Sequence, residues 1–354
     1  MLGKIGTEDD FPISCQSTFK LTVPSGALNN PADARPAARH ANRANIAWMD
    51  GYINLLRLEQ FYTQQTPPDR FFTPSRTMLI FIPTLPDFSF LETVSAHGWR
   101  QLLPFVWNED ALTLARTEEF SEHLITLTIS AADDAVQIET DRDCGEAELA
   151  ARVSRMLQID LPLTGFHAYC RTQPELTGIA DCRRGRLLRS PTLWEDVVKV
   201  IATTNTTWAQ TISMSARLVQ EFGRKGRAFP SAAEIAEVSL DDFAAKARMG
   251  YRAAYVHAIA VAIAEGSLEL EAWQTELTAD TLRRSLLSLP GIGPYGAACL
   301  LLYLGKPAHV NSDSVARTLL AKEIGQSVTD KDVHAFFKPH SEWQGLVYNF
   351  YPWK

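Results

Sequence analysis

The most informative segment of the sequence is Leu289-Pro290-Gly291-Ile292-Gly293-Pro294-Tyr295-Gly296-Ala297. It lies between two runs of helical periodicity, so it predicts a hairpin joining two helices. The glycines have no side chains, which lets the hairpin backbone approach a ligand closely. A proline at position 294 suits the first turn of the second helix, where its missing N–H costs nothing. The exposed N–H groups at that helix start predict an anion site, and a phosphodiester fits such a site.

An acidic residue follows the hairpin at a defined spacing. Asp313 lies eighteen residues after Tyr295, in the sequence His309-Val-Asn-Ser-Asp-Ser-Val-Ala-Arg317. Asn311 or Ser312 is expected to cap the next helix, since both residue types favour the N-cap position. Asp313 would then occupy the first helical turn, near the positive end of the helix dipole. Taken alone, Asp313 is better explained as a capping carboxylate than as a catalytic one.

The composition is that of a globular protein with a buried core. Of 354 residues, 46% are hydrophobic and 21% are charged, which excludes wholesale disorder and predicts two or three domains. No stretch reaches the ~20 consecutive apolar residues of a membrane span. The first ten residues contain no apolar segment, which argues against a secretory signal.

The net charge of -7 is concentrated in one block. Residues 1–77 carry 8 basic and 7 acidic side chains, residues 78–160 carry 5 and 15, and residues 161–354 carry 21 and 19. The flanking parts can therefore face an anionic partner, and the acidic block is expected to face away from it. A basic run, Arg183-Arg-Gly-Arg-Leu-Leu-Arg189, is either a solvated loop or a phosphate contact.

The cysteines indicate neither disulfides nor metal. There are five, Cys15, Cys144, Cys170, Cys182 and Cys299, with no C-x-x-C spacing, so no disulfide framework or cysteine-rich zinc site is expected. No histidine pair has metal-binding spacing, and we expect no metal ligands. A reducing, cytoplasmic setting is the simplest interpretation.

The periodicity predicts an α+β chain with an antiparallel sheet module before an all-helical module. Residues 1–77 form an extension of unclear role, with one helix expected over Asn45–Tyr62. Residues 78–160 form the sheet module, with short β-type runs at 112–116, 124–129 and 135–139 and a helix over Glu146–Leu157. Residues 161–354 form the helical module, which is almost continuously helical from about residue 190.

The hairpin, the eighteen-residue spacing and Asp313 together resemble the helix-hairpin-helix-Gly-Pro-Asp (HhH-GPD) superfamily of base-excision DNA glycosylases. Similar segments flank the motif at Arg189–Glu195, Phe229–Ser231, Met249–Ala253 and Trp343–Tyr348. The resemblance covers roughly residues 78–354. It is closest to the 3-methyladenine DNA glycosylase II and 8-oxoguanine branches, which share a sheet module before the helical core.

The resemblance implies a role for individual residues. Asp313 is the expected catalytic carboxylate, which would stabilise positive charge on the sugar and orient or deprotonate a water. The expected DNA contacts are Pro290, Gly291, Ile292, Gly293, Tyr295, Gly296 and Arg317. The expected pocket for a base rotated out of the duplex contains Trp208, Tyr251, Tyr295 and Cys299.

The resemblance further implies a monofunctional enzyme acting on double-stranded DNA with a damaged base, foremost an alkylated purine. Members that cleave the strand carry a lysine where this chain has Tyr295, and a phenol cannot form a Schiff base. No cysteine follows Cys299, so no C-terminal iron–sulfur cluster is expected. No other cofactor is expected, although family members can hold a monovalent cation at the hairpin carbonyls. We expect a monomer without a membrane partner, associated with DNA and nuclear in a eukaryote.

Two departures leave the substrate open. Thr203-Thr-Asn-Thr206 stands where many relatives have a glutamine that probes the flipped base or the opposite strand, which puts the integrity of the site in question. Cys299 stands where the 8-oxoguanine branch has a cysteine. Alternative substrates are therefore 8-oxoguanine and deaminated bases. Alternative functions are a non-catalytic damage-binding protein, for which a carboxylate at Asp313 has no purpose, and an inactive paralogue.

Overall fold

A computed structural model describes residues 43–47, 53–57, 77–121, 123–310 and 312–353. The chain divides into two units, Met1–Pro74 and Ser75–Lys354. In the first unit, strands β1 (Arg43–Ala47) and β2 (Ile53–Arg57) pair antiparallel. The helix expected over Asn45–Tyr62 is therefore wrong where the structure can test it. Positions 48–52 and 58–62 of that expected helix lie outside the described residues. Ladder pairing between two strands has overridden the local helical pattern.

The second unit opens with a five-stranded antiparallel sheet of order β3-β7-β6-β5-β4. Its strands are β3 (Met78–Pro83), β4 (Val106–Asn108), β5 (Thr113–Phe120), β6 (His123–Ala132) and β7 (Ala135–Thr140). Alternate residues of β6, including Ile125, Leu127 and Ile129, are buried, as expected of a sheet with one covered face. The predicted strands are confirmed.

Two helices accompany the sheet. Helix α1 (Phe90–Ser95) is capped by Ser89, and helix α2 (Glu146–Leu157) has the predicted bounds. The apolar stripe of α2, formed by Leu149, Val153, Met156 and Leu157, is fully buried. The segment between α1 and β4 contains a short 3₁₀ helix, Gly98–Gln101, which places His97 and Trp99 toward the helical core.

The rest of the unit is helical, so the predicted α+β class is confirmed. The helices are α3 (Thr164–Arg171), α4 (Thr177–Asp181), α5 (Leu193–Thr203), α6 (Trp208–Phe222), α7 (Ala232–Ala236), α8 (Leu240–Ala247), α9 (Arg252–Ala264), α10 (Trp273–Glu276), α11 (Ala279–Ser288), α12 (Pro294–Tyr303), α13 (Ser314–Ile324), α14 (Asp330–Phe337) and α15 (Gln344–Phe350). The side chains of Ser231 and Ser239 cap α7 and α8.

Helices α5 and α12 form the centre of this core. Each is buried along almost its whole length. They approach closely at Gly296, where an added Cβ would lie 3.2 Å from Cγ1 of Val200. A glycine here permits the close approach of two helices, and this packing brings the hairpin before α12 beside the C-terminal end of α5.

Charged side chains are buried between the sheet and α5. Arg116 of β5 forms ion pairs with Glu118 and with Glu195, and Lys199 lies 2.6 Å from the Glu195 carboxylate. Burial raises the pKa of Glu195, but Arg116 and Lys199 outweigh burial and hold that pKa well below its usual range. The cluster joins the acidic sheet module to the helical core through specific pairs.

No helix within the described parts of the chain combines the length and the apolar character required to cross a bilayer.

Candidate active site and nucleic-acid interface

The hairpin joins α11 to α12 as predicted. Gly291 has a left-handed φ of 82°, and an added Cβ there would lie 2.6 Å from the Tyr255 ring, so both conformation and space require glycine. Gly293 caps α12 with ordinary extended dihedrals. Apart from the adjacent backbone, no described residue has a heavy atom within 4 Å of a Cβ built at Gly293. The backbone is therefore open to a ligand at Gly293, next to the N–H groups of the helix start.

Asp313 is the N-cap of α13, not a residue of its first turn. Its Oδ1 atom accepts a hydrogen bond of 2.8 Å from the Ala316 N–H. The expectation that Ser312 caps this helix is wrong, and Asn311 lies outside the described residues. An aspartate satisfies an N-cap as well as a serine does. Ser312 instead donates to Oδ1 of Asp330 at 2.7 Å.

A second bond holds the carboxylate. Tyr348 Oη lies 3.5 Å from Asp313 Oδ1 and donates to it. Burial, together with the nearby Asp313, raises the pKa of Tyr348 well above its usual value. The phenol therefore keeps its proton, and both hydrogen bonds reach the same oxygen of Asp313. Neither of them engages Oδ2.

Asp313 lies at the boundary of two cavities. The first, here called the cleft, has a volume of about 760 Å³. It is lined by Thr203–Thr206, Trp208, Thr211, Tyr251, Tyr255, Gly291, Gly293–Gly296, Ser312–Val315 and Arg317. The cleft thus joins the hairpin to the start of α13.

The second cavity, here called the aromatic cavity, has a volume of about 390 Å³. Its lining comprises His97–Trp99, Thr203, Trp208, Tyr295, Tyr303, Asp313, Val315, Ala316, Leu319, Tyr348, Asn349 and Trp353. The sheet module supplies one wall through the His97–Trp99 segment. Trp208 contributes to both cavities, and its ring lies against Gly98, where an added Cβ would be 2.3 Å away.

The structure brings most of the predicted site residues together. Asp313, Gly291, Gly293, Tyr295, Gly296 and Arg317 line the cleft, as do Trp208 and Tyr251. Trp208 and Tyr295 also reach the aromatic cavity. Pro290 is exposed, whereas Ile292 is buried below the turn. Cys299 is buried on α12 and lines neither cavity.

His97, Trp99, Tyr303, Tyr348 and Trp353 also line the aromatic cavity, and none of them stood out in the sequence. The available signal was the density of aromatic residues in His97-Gly-Trp99 and in the last seven residues.

His97 is fixed as a neutral ring. Its Nε2 lies 2.7 Å from the Leu188 carbonyl oxygen, and its ring stacks on Tyr303 with centroids 5.2 Å apart. Burial lowers the pKa of His97 to about 4, and Lys199 contributes to the lowering. A carbonyl can only accept, so Nε2 carries the proton and Nδ1 carries a lone pair. His97, which lines the aromatic cavity, therefore carries an acceptor nitrogen at Nδ1.

The Thr203–Thr206 segment shapes the cleft without a glutamine. Asn205 has a left-handed φ of 44°, and its amide donates to Tyr251 Oη at 3.3 Å. Arg252 donates to the carbonyl oxygens of Thr204 and Asn205. Helix α6 begins three residues after Asn205, at Trp208, and Thr207 caps it.

Three of the four arginines in the basic run form ion pairs with other residues of the protein. Arg186 is 1% exposed and bonds the Asp87 carboxylate at 2.7 Å, and Arg189 is 7% exposed and pairs with Asp196. Arg184 pairs with Glu92. Burial and ion pairing give Arg186 and Arg189 structural roles, whereas Arg183 is exposed and Arg184 is partly exposed.

Comparison with known proteins agrees with this geometry. Residues 198–342 match the family model described as "HhH-GPD superfamily base excision DNA repair protein". The chain is 25% identical over 248 residues to the "Probable bifunctional transcriptional activator/DNA repair enzyme AlkA" of Mycobacterium tuberculosis. That alignment covers 66% of this chain, and the chain spans only 45% of the length of this curated relative.

Two solved structures share the fold. The 3-methyladenine DNA-glycosylase from Archaeoglobus fulgidus has a TM-score of 0.60 at 16% identity, with 77% of this chain and 97% of that chain covered. The Clostridium acetobutylicum 8-oxoguanine glycosylase/lyase has a TM-score of 0.58 at 19% identity, with 77% and 98% covered. The hairpin and most of the helical core, at residues 198–342, are therefore similar to the HhH-GPD superfamily of base excision DNA repair proteins.

Proposed function

We propose that this protein is a monofunctional DNA glycosylase of base excision repair that removes a damaged purine, foremost an alkylated one. The observation that carries the proposal is the position of Asp313, which lines both the cleft and the aromatic cavity. A DNA strand whose phosphates bind at the hairpin would pass Asp313, with the damaged base rotated into the aromatic cavity. The glycosidic bond would then lie next to the carboxylate.

The expected chemistry is hydrolysis with positive charge developing on the sugar. The negative charge of the Asp313 carboxylate stabilises that positive charge. The two hydrogen bonds at Oδ1 leave Oδ2 to face the sugar or to accept a proton from an attacking water. A charge that is already in place before the reaction stabilises the charge that develops in the transition state. The bond broken is the sugar–base C–N bond, and water supplies the hydroxyl that replaces the base.

The expectation of monofunctional chemistry rests on Tyr295 and Lys199. Tyr295 occupies the position of the nucleophilic lysine, and burial raises the pKa of its phenol well above the usual value. Lys199 lies beneath Trp99, but it is 1% exposed and paired with Glu195. A buried, ion-paired amine cannot reach C1′ of a sugar in the cleft.

The preference for alkylated purines rests on the aromatic cavity. Alkylation of a purine ring nitrogen gives the base a positive charge, and a cation is attracted to the faces of Trp and Tyr rings. Trp99, Tyr303 and Trp353 present such rings. A neutral lesion such as 8-oxoguanine is the second candidate, because the acceptor nitrogen of His97 favours a base with an N–H donor. Cys299, the earlier reason for that candidate, does not line the cavity.

A glycosylase panel tests the proposal. Purified protein is incubated with end-labelled duplexes that each carry one alkylated purine, 8-oxoguanine, hypoxanthine or uracil, and each product is run with and without hot alkali. Breaks only after alkali on the alkylated purine are expected. Breaks without alkali would overturn the monofunctional assignment. Binding without any product would favour the non-catalytic alternative.

The Asp313→Asn variant tests the role of the carboxylate without loss of the helix cap, because asparagine also caps helices well. It should lose turnover by at least ~10²-fold while keeping its stability and its duplex affinity. Equal turnover would remove Asp313 from the mechanism. The same proposal includes duplex DNA as the partner, a monomeric protein and a monovalent cation at the hairpin. Hydrolysis of the glycosidic bond needs no redox cofactor.

A further inference from the structure

A third cavity, of about 360 Å³, lies on the other side of the start of α12 from the cleft. Pro294 and Tyr295 line both the cleft and this cavity, and so does Ser312. Because the first residues of α12 separate the two spaces, the positive end of the helix dipole acts on both. The third cavity is therefore next to the cleft, with Pro294, Tyr295 and Ser312 in both walls.

Three basic side chains from three elements converge on this cavity. Arg283 comes from α11, His309 from the α12–α13 loop and His334 from the last turn of α14. Within the part of the chain that the structure describes, none of the three makes a hydrogen bond or ion pair. Arg283 is half-buried, and a half-buried guanidinium without a carboxylate leaves its five donors available to a ligand.

The basic groups repel one another in the ligand-free protein. Burial lowers the pKa of His309, and Arg283 and His334 add to the lowering, while Asp280 opposes it. An anion between them would remove this repulsion. Asp330 contributes a carboxylate to the wall, but this carboxylate is already occupied, because it accepts 2.7 Å and 2.6 Å bonds from Ser312 and Arg317.

We propose that Arg283, His309 and His334 form a second phosphate site, which binds the DNA backbone next to the phosphate held at the hairpin. The guanidinium supplies two parallel N–H donors to the phosphate oxygens, and the imidazoles supply one donor each. The identity of the phosphate as DNA rests on the proposed function. The site itself rests on the cavity and its three unpaired basic groups.

Salt-dependent binding to an undamaged duplex tests the site without requiring base excision. Each phosphate contact adds about 0.9 to the slope of log affinity against log salt concentration. Arg283→Gln should weaken binding several-fold near 0.1 M salt and lower that slope by about 1. Arg284→Gln is the matched control, because Arg284 is its exposed neighbour on α11 and donates locally to Asp280 O and Thr281 Oγ1. It should leave both quantities nearly unchanged.

Equal slopes for the two variants would overturn the proposal. The imidazole NMR signals of His309 and His334 distinguish the source of the phosphate. Duplex DNA should shift both signals in the wild type and shift them less in Arg283→Gln. If inorganic phosphate at micromolar concentration shifts them while the duplex does not, the site binds a free small anion and the DNA assignment is overturned. Because no lesion is present, failure here is separate from failure of the glycosylase proposal.

Discussion

The Nη1 atom of Arg317 lies 2.6 Å from Oδ1 of Asp330 and joins α13 to α14. Arg317 lies one helical turn after Asp313, where contact with that carboxylate or with DNA is expected from the sequence. The structure pairs it with Asp330, which also accepts a bond from Ser312. Asp330 therefore holds both the residue before Asp313 and the arginine after it, and so helps set the position of the start of α13.

This arrangement predicts a gain of DNA affinity in Asp330→Asn. The variant removes a negative charge beside the cleft and releases the Arg317 guanidinium toward DNA, so duplex binding should tighten about two- to fivefold at low salt. The ion pair is exposed, so its loss should cost less than about 1 kcal/mol of stability. Fluorescence anisotropy measures the binding. Asp332→Asn, on the same helix but bonded to Thr329, controls for loss of charge alone. Unchanged affinity in Asp330→Asn would contradict the release of Arg317.

Tyr348→Phe should lower the rate of base release with little effect on binding. The variant removes the phenol that donates to Asp313 Oδ1, and a hydrogen bond of that length to a charged group supports a loss of about three- to tenfold in kcat. Single-turnover kinetics on the responsive lesion measures it. Tyr351→Phe, in the neighbouring aromatic cluster, should retain the full rate. A Tyr348→Phe defect seen only in KM would mean that the phenol contacts substrate instead of orienting Asp313.

His97→Phe should reduce the loss of folding stability that occurs as the pH drops from 6.5 toward 4. The unfolded chain binds a proton at His97 near pH 6.5, whereas the folded chain binds it only near pH 4. The unfolded state therefore carries more protons between these values, and stability falls as the pH drops from 6.5 toward 4. The contribution is on the order of 1–3 kcal/mol. Urea unfolding of both proteins at several pH values measures the difference, and parallel curves would show that His97 is not held neutral.

Glu195→Gln should destabilise the fold by about 3–5 kcal/mol, because it leaves Arg116 and Lys199 buried without their shared counter-charge. Chemical denaturation measures the loss. The control is Glu148→Gln, which breaks the Arg152 pair at the surface and should cost less than about 1 kcal/mol. A small loss in Glu195→Gln would mean that Glu118, which already pairs with Arg116, supplies enough counter-charge for the cluster without Glu195.

Local patterns were sufficient for the elements of the second unit. The α2 stripe, the strands at 113–120, 123–132 and 135–140, and the serine caps of α7 and α8 all follow from periodicity and capping chemistry. The same reasoning failed for Asn45–Tyr62, because pairing between β1 and β2 depends on a partner strand. It also misplaced the cap of α13, because Ser312 and Asp313 are chemically similar caps and the bond to Asp330 decides between them.

The sequence by itself determined the hairpin, the spacing to Asp313 and the absence of a lysine at position 295, since these depend on residue type and distance along the chain. Only the tertiary structure decided which side chains surround Asp313. His97, Tyr303 and Tyr348 come from segments up to 251 residues apart in the numbering, and burial and packing bring them to one cavity. Burial also determined the role of Arg186 and Arg189 in the basic run, because both side chains form ion pairs inside the fold. Charge and aromatic content are properties of the sequence, but access to a ligand is a property of the fold.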